Sequence, residues 1–155
     1  MTTSPDRRVE VALHEAGHSV IARVLGLKTG RATICDFDGV ARSYFEDDGS
    51  IDNVLAVLAG RAAAEVILGR ADDCGCSVDD DQALALLMAP GFREPWDAKR
   101  IRRQCLDQAR DLIRKHRRAV EAVANALLER ETLTAGEIDR LMMDSCAEAW
   151  RRVTR

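Results

Sequence analysis

Apolar positions recur three or four apart through the first twenty-five residues, at Val9, Ala12, Leu13, Ala16, Val20 and Val24, the spacing of one face of a helix. Ser4, Pro5 and Asp6 offer a cap, a fixed-φ first position and a charge suited to the positive end of the helix dipole, and Gly26 ends the run. The pattern then changes. Arg31 to Cys35 and Val40 to Phe45 read as short strands, and Asp36-Phe37-Asp38-Gly39 between them predicts a small β-hairpin. From Ser50 the period is helical again. Ser50 caps Ile51 to Leu68 and Gly69 closes it; this stretch is apolar nearly all round and carries Ala59, Gly60, Ala62, Ala63 and Ala64. A helix of that kind belongs at the centre of a core with its neighbours packed close. An acidic loop over Asp72 to Ser77 leads to a helix over Val78 to Ala89, halted by Pro90-Gly91. A long helix is predicted from Pro95 to about Arg130, broken near His116. Thr134-Ala135-Gly136-Glu137 is a capping box opening a last helix to about Trp150. No repeat, low-complexity tract or linker divides the chain, so residues 1–155 are expected to form one domain, mostly α with a token hairpin.

Composition changes this picture little. At 155 residues, 46% hydrophobic and 32% charged, the chain is long enough to bury a proper core and is neither disordered nor fibrous. Apolar runs such as Val54 to Ala59 are far too short for a candidate membrane span, and the N-terminus lacks a basic segment followed by an apolar stretch, so a cytoplasmic location is expected. Charge is unevenly divided: residues 36–81 hold twelve acids and three bases, residues 93–118 ten bases and four acids. The basic stretch reads as a solvated helix face paired with the acidic half. Aromatic residues total six and none interleaves the bases of residues 99–118, so no nucleic-acid partner is expected. The five cysteines are odd in number, and Cys74-Gly75-Cys76 has no second pair to complete a structural zinc site; they read as free thiols.

The chemistry lies in His14-Glu15-Ala16-Gly17-His18, an H-E-x-x-H motif within the first predicted helix. Spacing of four puts both imidazoles on one face, one turn apart, where they can share a zinc ion. Glu15 lies about 100° round the helix from His14, placed to take a proton from a water rather than to bind metal as a matter of course. Gly17 leaves room for another chain to approach the metal. Two of the three histidines fall in the motif, which chance would produce about 0.004 times in a chain of this composition. A catalytic zinc takes a third protein ligand. His116 sits among Arg114, Lys115, Arg117 and Arg118, which repel a cation. Asp79, Asp80 and Asp81, at the start of a helix after a glycine-bearing loop, are better placed, with Glu65 and Cys76 also open; the residues alone do not choose.

Four segments in order carry a family resemblance. They are the His-Glu-Ala-Gly-His motif; Leu58-Ala59-Gly60-Arg61-Ala62-Ala63-Ala64-Glu65-Val66-Ile67-Leu68-Gly69; Gly75-Cys76-Ser77-Val78-Asp79-Asp80; and Leu127-Leu128-Glu129-Arg130-Glu131-Thr132-Leu133 followed by Glu137-Ile138. Together they resemble the peptidase domain of FtsH-type AAA+ zinc proteases over nearly the whole chain. The resemblance implies a compact helical zinc-peptidase domain in which His14, His18 and Asp79 hold Zn2+ and Glu15 is the general base, with Glu65 orienting a ligand from behind. The departures matter as well. Ala64 stands where the family has a first Glu, Val78 where it has Asn, and the stretch between Gly26 and Ile51 is shorter. These 155 residues contain no G-x-x-x-x-G-K-[ST] phosphate loop. The expectation is a stand-alone zinc metalloendopeptidase cutting peptides or unfolded protein without ATP. The alternative is a zinc-bearing adaptor with little turnover that docks on a larger protease or forms a homo-oligomer.

Overall fold

The computed structural model describes residues 5–35, 40–71, 76–89 and 95–154. Helix α1 (Pro5–Val24) runs as its apolar period requires, and its end is a left-handed glycine cap. Gly26 has φ 79°; its N–H donates to the Arg23 carbonyl and the Leu27 N–H to the Ala22 carbonyl, the paired bonds of a Schellman motif. Leu27 then packs on Ala22, Ala56 and Phe45, so the cap also seeds a small apolar cluster. Helix α2 (Ile51–Leu68) is capped at both ends as its sequence suggests: Ser50 accepts from the Asn53 N–H, and Gly69, at φ 74°, donates to Glu65. Nearly every residue from Asn53 to Ala64 is buried. Around this hub pack α1, α3 (Cys76–Leu87) and α4 (Pro95–Lys115), while α5 (Arg117–Arg130) lies against α1 and α6 (Ala135–Val153) against α5. One continuous core holds Leu13, Val20, Ile21, Leu58, Leu87, Ile113, Val120, Leu127 and Ile138 from all six helices. Thr134 and Glu137 form the expected capping box of α6.

Small residues set the closest approach in this core. A Cβ on Gly17 of α1 would lie 2.5 Å from the Ala59 carbonyl oxygen and 2.8 Å from the Ala63 Cβ of α2. The room at Gly17 therefore goes to α2, which fills it.

The sheet has three strands in the order β2-β1-β3, all antiparallel: β1 (Thr29–Thr33), β2 (Arg42–Phe45) and β3 (Thr132–Leu133). The hairpin is present, with β1 two residues earlier than its apolar pattern suggests and a register irregularity between Thr29 and Ala32. The third strand has no counterpart in the sequence reading, since a two-residue strand has no period of its own. The structure pairs Ala32 with Leu133 and Thr33 with Thr132, whose hydroxyls meet at 2.8 Å. Helix α3 begins at Cys76 rather than Val78 and ends at Leu87. The break at His116 separates α4 from α5 as expected. The Ser4 cap, the Asp36 to Gly39 turn, most of the acidic loop and the Pro90-Gly91 stop lie outside the described residues. Arg110 does pair with the acidic half, through Glu65, but Arg100, Arg114 and Arg117 pair locally with Asp97, Asp111 and Glu121. No helix among the described residues is long and apolar enough to cross a membrane.

Candidate metal centre

His14 and His18 stand one turn apart on the face of α1 that meets α2 and α3, their rings edge to face with centroids 4.6 Å apart. Both are buried, 4% and 7% exposed. Asp79, in the first turn of α3, completes a triangle. Its Oδ2 lies 2.9 Å from His14 Nε2 and 3.2 Å from His18 Nε2, and the two nitrogens are 3.0 Å apart. It is the one group of three metal-ligating side chains found among the described residues.

Three observations bear on whether a cation fits there. Metal–ligand bonds of about 2.0 Å at tetrahedral angles separate ligand atoms by about 3.3 Å, close to the three edges seen. The ring orientation of His18 is set from behind, because its Nδ1 donates to the Ala56 carbonyl at 2.8 Å. The neutral ring then presents a bare lone pair at Nε2, as a metal ligand must. Finally, Gly60 of α2 abuts this point. A Cβ there would lie 2.5 Å from His18 Nε2 and 2.7 Å from His14 Nε2, so the cradle exists because the residue has no side chain. Asp79 Oδ2 is buried within ion-pair range of both rings and yet in hydrogen-bond alignment with neither. Three electron-pair donors converging in a buried site, the donor set of a zinc centre, fit a divalent cation.

Electrostatics fit the same conclusion. Burial pulls His18 down, but the Asp79 carboxylate, with Glu15 and the Ala56 carbonyl, outweighs it and raises His18 to about 9. Burial pushes Asp79 up, and the His18 and His14 rings outweigh that, holding it at about 2. The pocket is therefore a place where positive charge is strongly favoured.

Glu15 is buried at 7% exposure, next to the triangle and outside it. Its Oε2 accepts from Ser43 of β2 at 2.7 Å. The next residue but one on that strand, Phe45, stacks at a tilt on His18 with centroids 6.0 Å apart. Cys76 lies on the far edge of His14, its Sγ 3.9 Å from Nδ1, and burial with Asp79 nearby pushes the thiol up to about 11. It backs His14 and is no part of the triangle. Asp80 turns away to Arg61, 2.6 Å distant, and Asp81 is exposed. Glu65 does not reach the histidines. It accepts from Arg61 at 2.7 Å and from Arg110 at 2.7 Å, so its link to the site runs through Arg61 to Asp80, the neighbour of Asp79. His116, in the break between α4 and α5, is drawn down by burial and by Lys115. Ser43, Gly60 and the Ala56 carbonyl are the site's contributors that the sequence reading missed. Gly60 had a visible signal, a glycine inside an otherwise alanine-rich buried helix.

No protein-family model matches the chain. Among curated proteins it is similar to the ATP-dependent zinc metalloprotease FtsH of Thermotoga maritima, 25% identical over 91% of the chain, and to that of Acidothermus cellulolyticus, 31% identical over 89%. It is also similar to the ATP-dependent zinc metalloprotease FTSH 11 of Arabidopsis thaliana, 28% identical over 92% of the chain. The chain covers 31%, 28% and 22% of these three proteins, less than a third of each. It is an FtsH-related region.

Proposed function

We propose that this FtsH-related chain is a zinc-dependent endopeptidase unit in which His14, His18 and Asp79 hold the ion and Glu15 is the general base. The observation that carries the reading is the His14–His18–Asp79 triangle, buried beside a carboxylate that is not part of it. A zinc ion held there supplies Lewis acidity toward a peptide carbonyl and lowers the pKa of a water to roughly 7. His18, oriented by the Ala56 carbonyl, and His14 keep their Nε2 lone pairs turned inward, and Asp79 adds the negative charge that a divalent cation favours. Glu15 takes the proton of the attacking water and returns it to the leaving nitrogen. With Oε2 engaged by Ser43, the proton goes to Oε1, which has no hydrogen-bond partner among the described residues. The proposed substrates are peptides or unfolded protein, cut without nucleotide. We also propose a cytoplasmic setting, in keeping with the unbridged thiols of Cys35, Cys76, Cys105 and Cys146.

The test combines metal analysis with a peptide-library cleavage assay. One zinc per chain is expected, with cleavage that chelator removes and ATP does not stimulate. Glu15→Gln should keep the zinc and lose cleavage, Asp79→Ala should lose both, and Asp80→Ala should keep the zinc. Zinc-free protein that takes up no zinc would overturn the site. Full activity in Glu15→Gln would overturn the mechanism, and zinc without any cleavage would move the reading to an interaction domain that docks on a protease or self-associates.

A further inference from the structure

We propose that Ser43 is a positioning residue for Glu15: from strand β2 its hydroxyl holds the carboxylate in the orientation that hydrolysis needs. The inference rests on the reading of Glu15 as the base. A glutamate has three side-chain torsions, and a carboxylate this deeply buried must find donors or suffer a large desolvation cost. Among the described residues the donor is Ser43 Oγ, 2.7 Å from Oε2, the short distance of a charge-assisted bond. The same hydroxyl lies 2.9 Å from the main-chain carbonyl of Glu15, so it spans side chain and backbone of one residue.

The direction of that bond is fixed by a second serine. Ser19, one turn beyond Glu15 on α1 and buried, donates to Ser43 Oγ at 3.2 Å. Ser43 thereby accepts from Ser19 and has its single hydrogen left for Glu15. The result is a relay, Ser19 to Ser43 to carboxylate, that turns Oε2 toward the sheet and leaves Oε1 for the proton.

The strand makes this position specific. Alternation along β2 turns Ser43 and Phe45 toward α1, one onto Glu15 and the other onto His18, while Tyr44 between them is exposed. Ser43 is in register with Ala32, fully buried in the central strand, which in turn pairs with Leu133. A slip of one residue would present Arg42 or Tyr44 to Glu15 instead.

The experiment compares wild type, Ser43→Ala and Ser43→Thr for zinc content, peptide hydrolysis and the side-chain carboxyl 13C resonance of Glu15 at one pH, assigned by its absence in Glu15→Gln. Ser43→Ala is expected to bind zinc as wild type does, to lose about 10–100-fold in kcat with KM little changed, and to move the Glu15 resonance. Ser43→Thr, which keeps the hydroxyl, should restore both. A Ser43→Ala protein with wild-type kcat or an unmoved resonance overturns the proposal, as does one that loses zinc together with activity. If wild type cleaves nothing, the hydrolytic reading fails; an unmoved resonance then overturns the hydrogen bond separately, and a resonance that moves in Ser43→Ala and returns in Ser43→Thr upholds it.

Discussion

A methyl group at Gly60 and one at Gly17 would each meet atoms 2.5 Å away, and the two should fail differently. At Gly60 the obstacles are the inward-facing nitrogens of His18 and His14, while the helix itself gains from alanine by up to about 1 kcal/mol. Gly60→Ala is therefore expected to keep native helicity and lose zinc, read by circular dichroism and metal analysis. At Gly17 the obstacle is the Ala59 carbonyl of the packed helix, which cannot swing aside. Gly17→Ala should force α1 and α2 apart and cost about 1–3 kcal/mol, read as a lower urea midpoint. Residues of the site differed in how readable they were for the same reason. His14, Glu15 and His18 announce themselves because helical spacing is a local property. Asp79 could be separated from Asp80 and Asp81 only by resemblance, since which aspartate faces inward depends on how α3 docks. Ser43 could not be picked out at all, because a serine on a short strand looks the same whether or not a carboxylate lies behind it.

Caps and periodicity made most elements legible: Ser50 and Gly69 bound α2, the Thr134–Glu137 box opens α6, and the break at His116 falls where expected. What sequence could not supply was β3, two residues whose strand character exists only through pairing with Ala32 and Thr33 about a hundred positions away. The join between helices was hidden in the same way. Glu65 of α2 is shared by Arg61 and Arg110, and Arg61 reaches on to Asp80, so one carboxylate ties α2, α3 and α4. Burial pushes Glu65 up, but Arg110 and Arg61 outweigh it and hold it below the usual glutamate range. A depressed carboxylate stabilises the fold fully above its unfolded value, about 4.5, and that contribution is lost as pH falls through the lower folded value. Wild type should thus exceed Glu65→Gln in stability at pH 6, by an amount of order 1 kcal/mol for so partly exposed a network. The gap should close toward pH 3 in urea titrations. A gap independent of pH would show that the ion pairs are not its source.

For the molecule as a whole, the site joins two helices that only the folded state brings together, so a bound ion stabilises the native state and not the unfolded chain. At a free zinc concentration a hundred times Kd the gain is about 2.7 kcal/mol. For a chain of this size that is roughly 5–11 °C in Tm. Chelation should lower the melting temperature of wild type by that amount and leave His18→Ala unmoved. A wild-type Tm indifferent to zinc would contradict the triangle as a metal site, whatever the assay of cleavage gave.

The order of residues along the chain gives the three-stranded sheet a consequence for biosynthesis. Translation proceeds at about 5–20 residues per second, so Asp79 leaves the ribosome roughly 3–12 s after His18, and the β3 residues Thr132 and Leu133 several seconds later again. A nascent chain thus carries both histidines long before their carboxylate partner is made, and all three side chains of the triangle before the strand that flanks β1. The triangle joins α1 to α3 and the sheet joins β1 to β3, so neither can close during synthesis until its later partner has emerged.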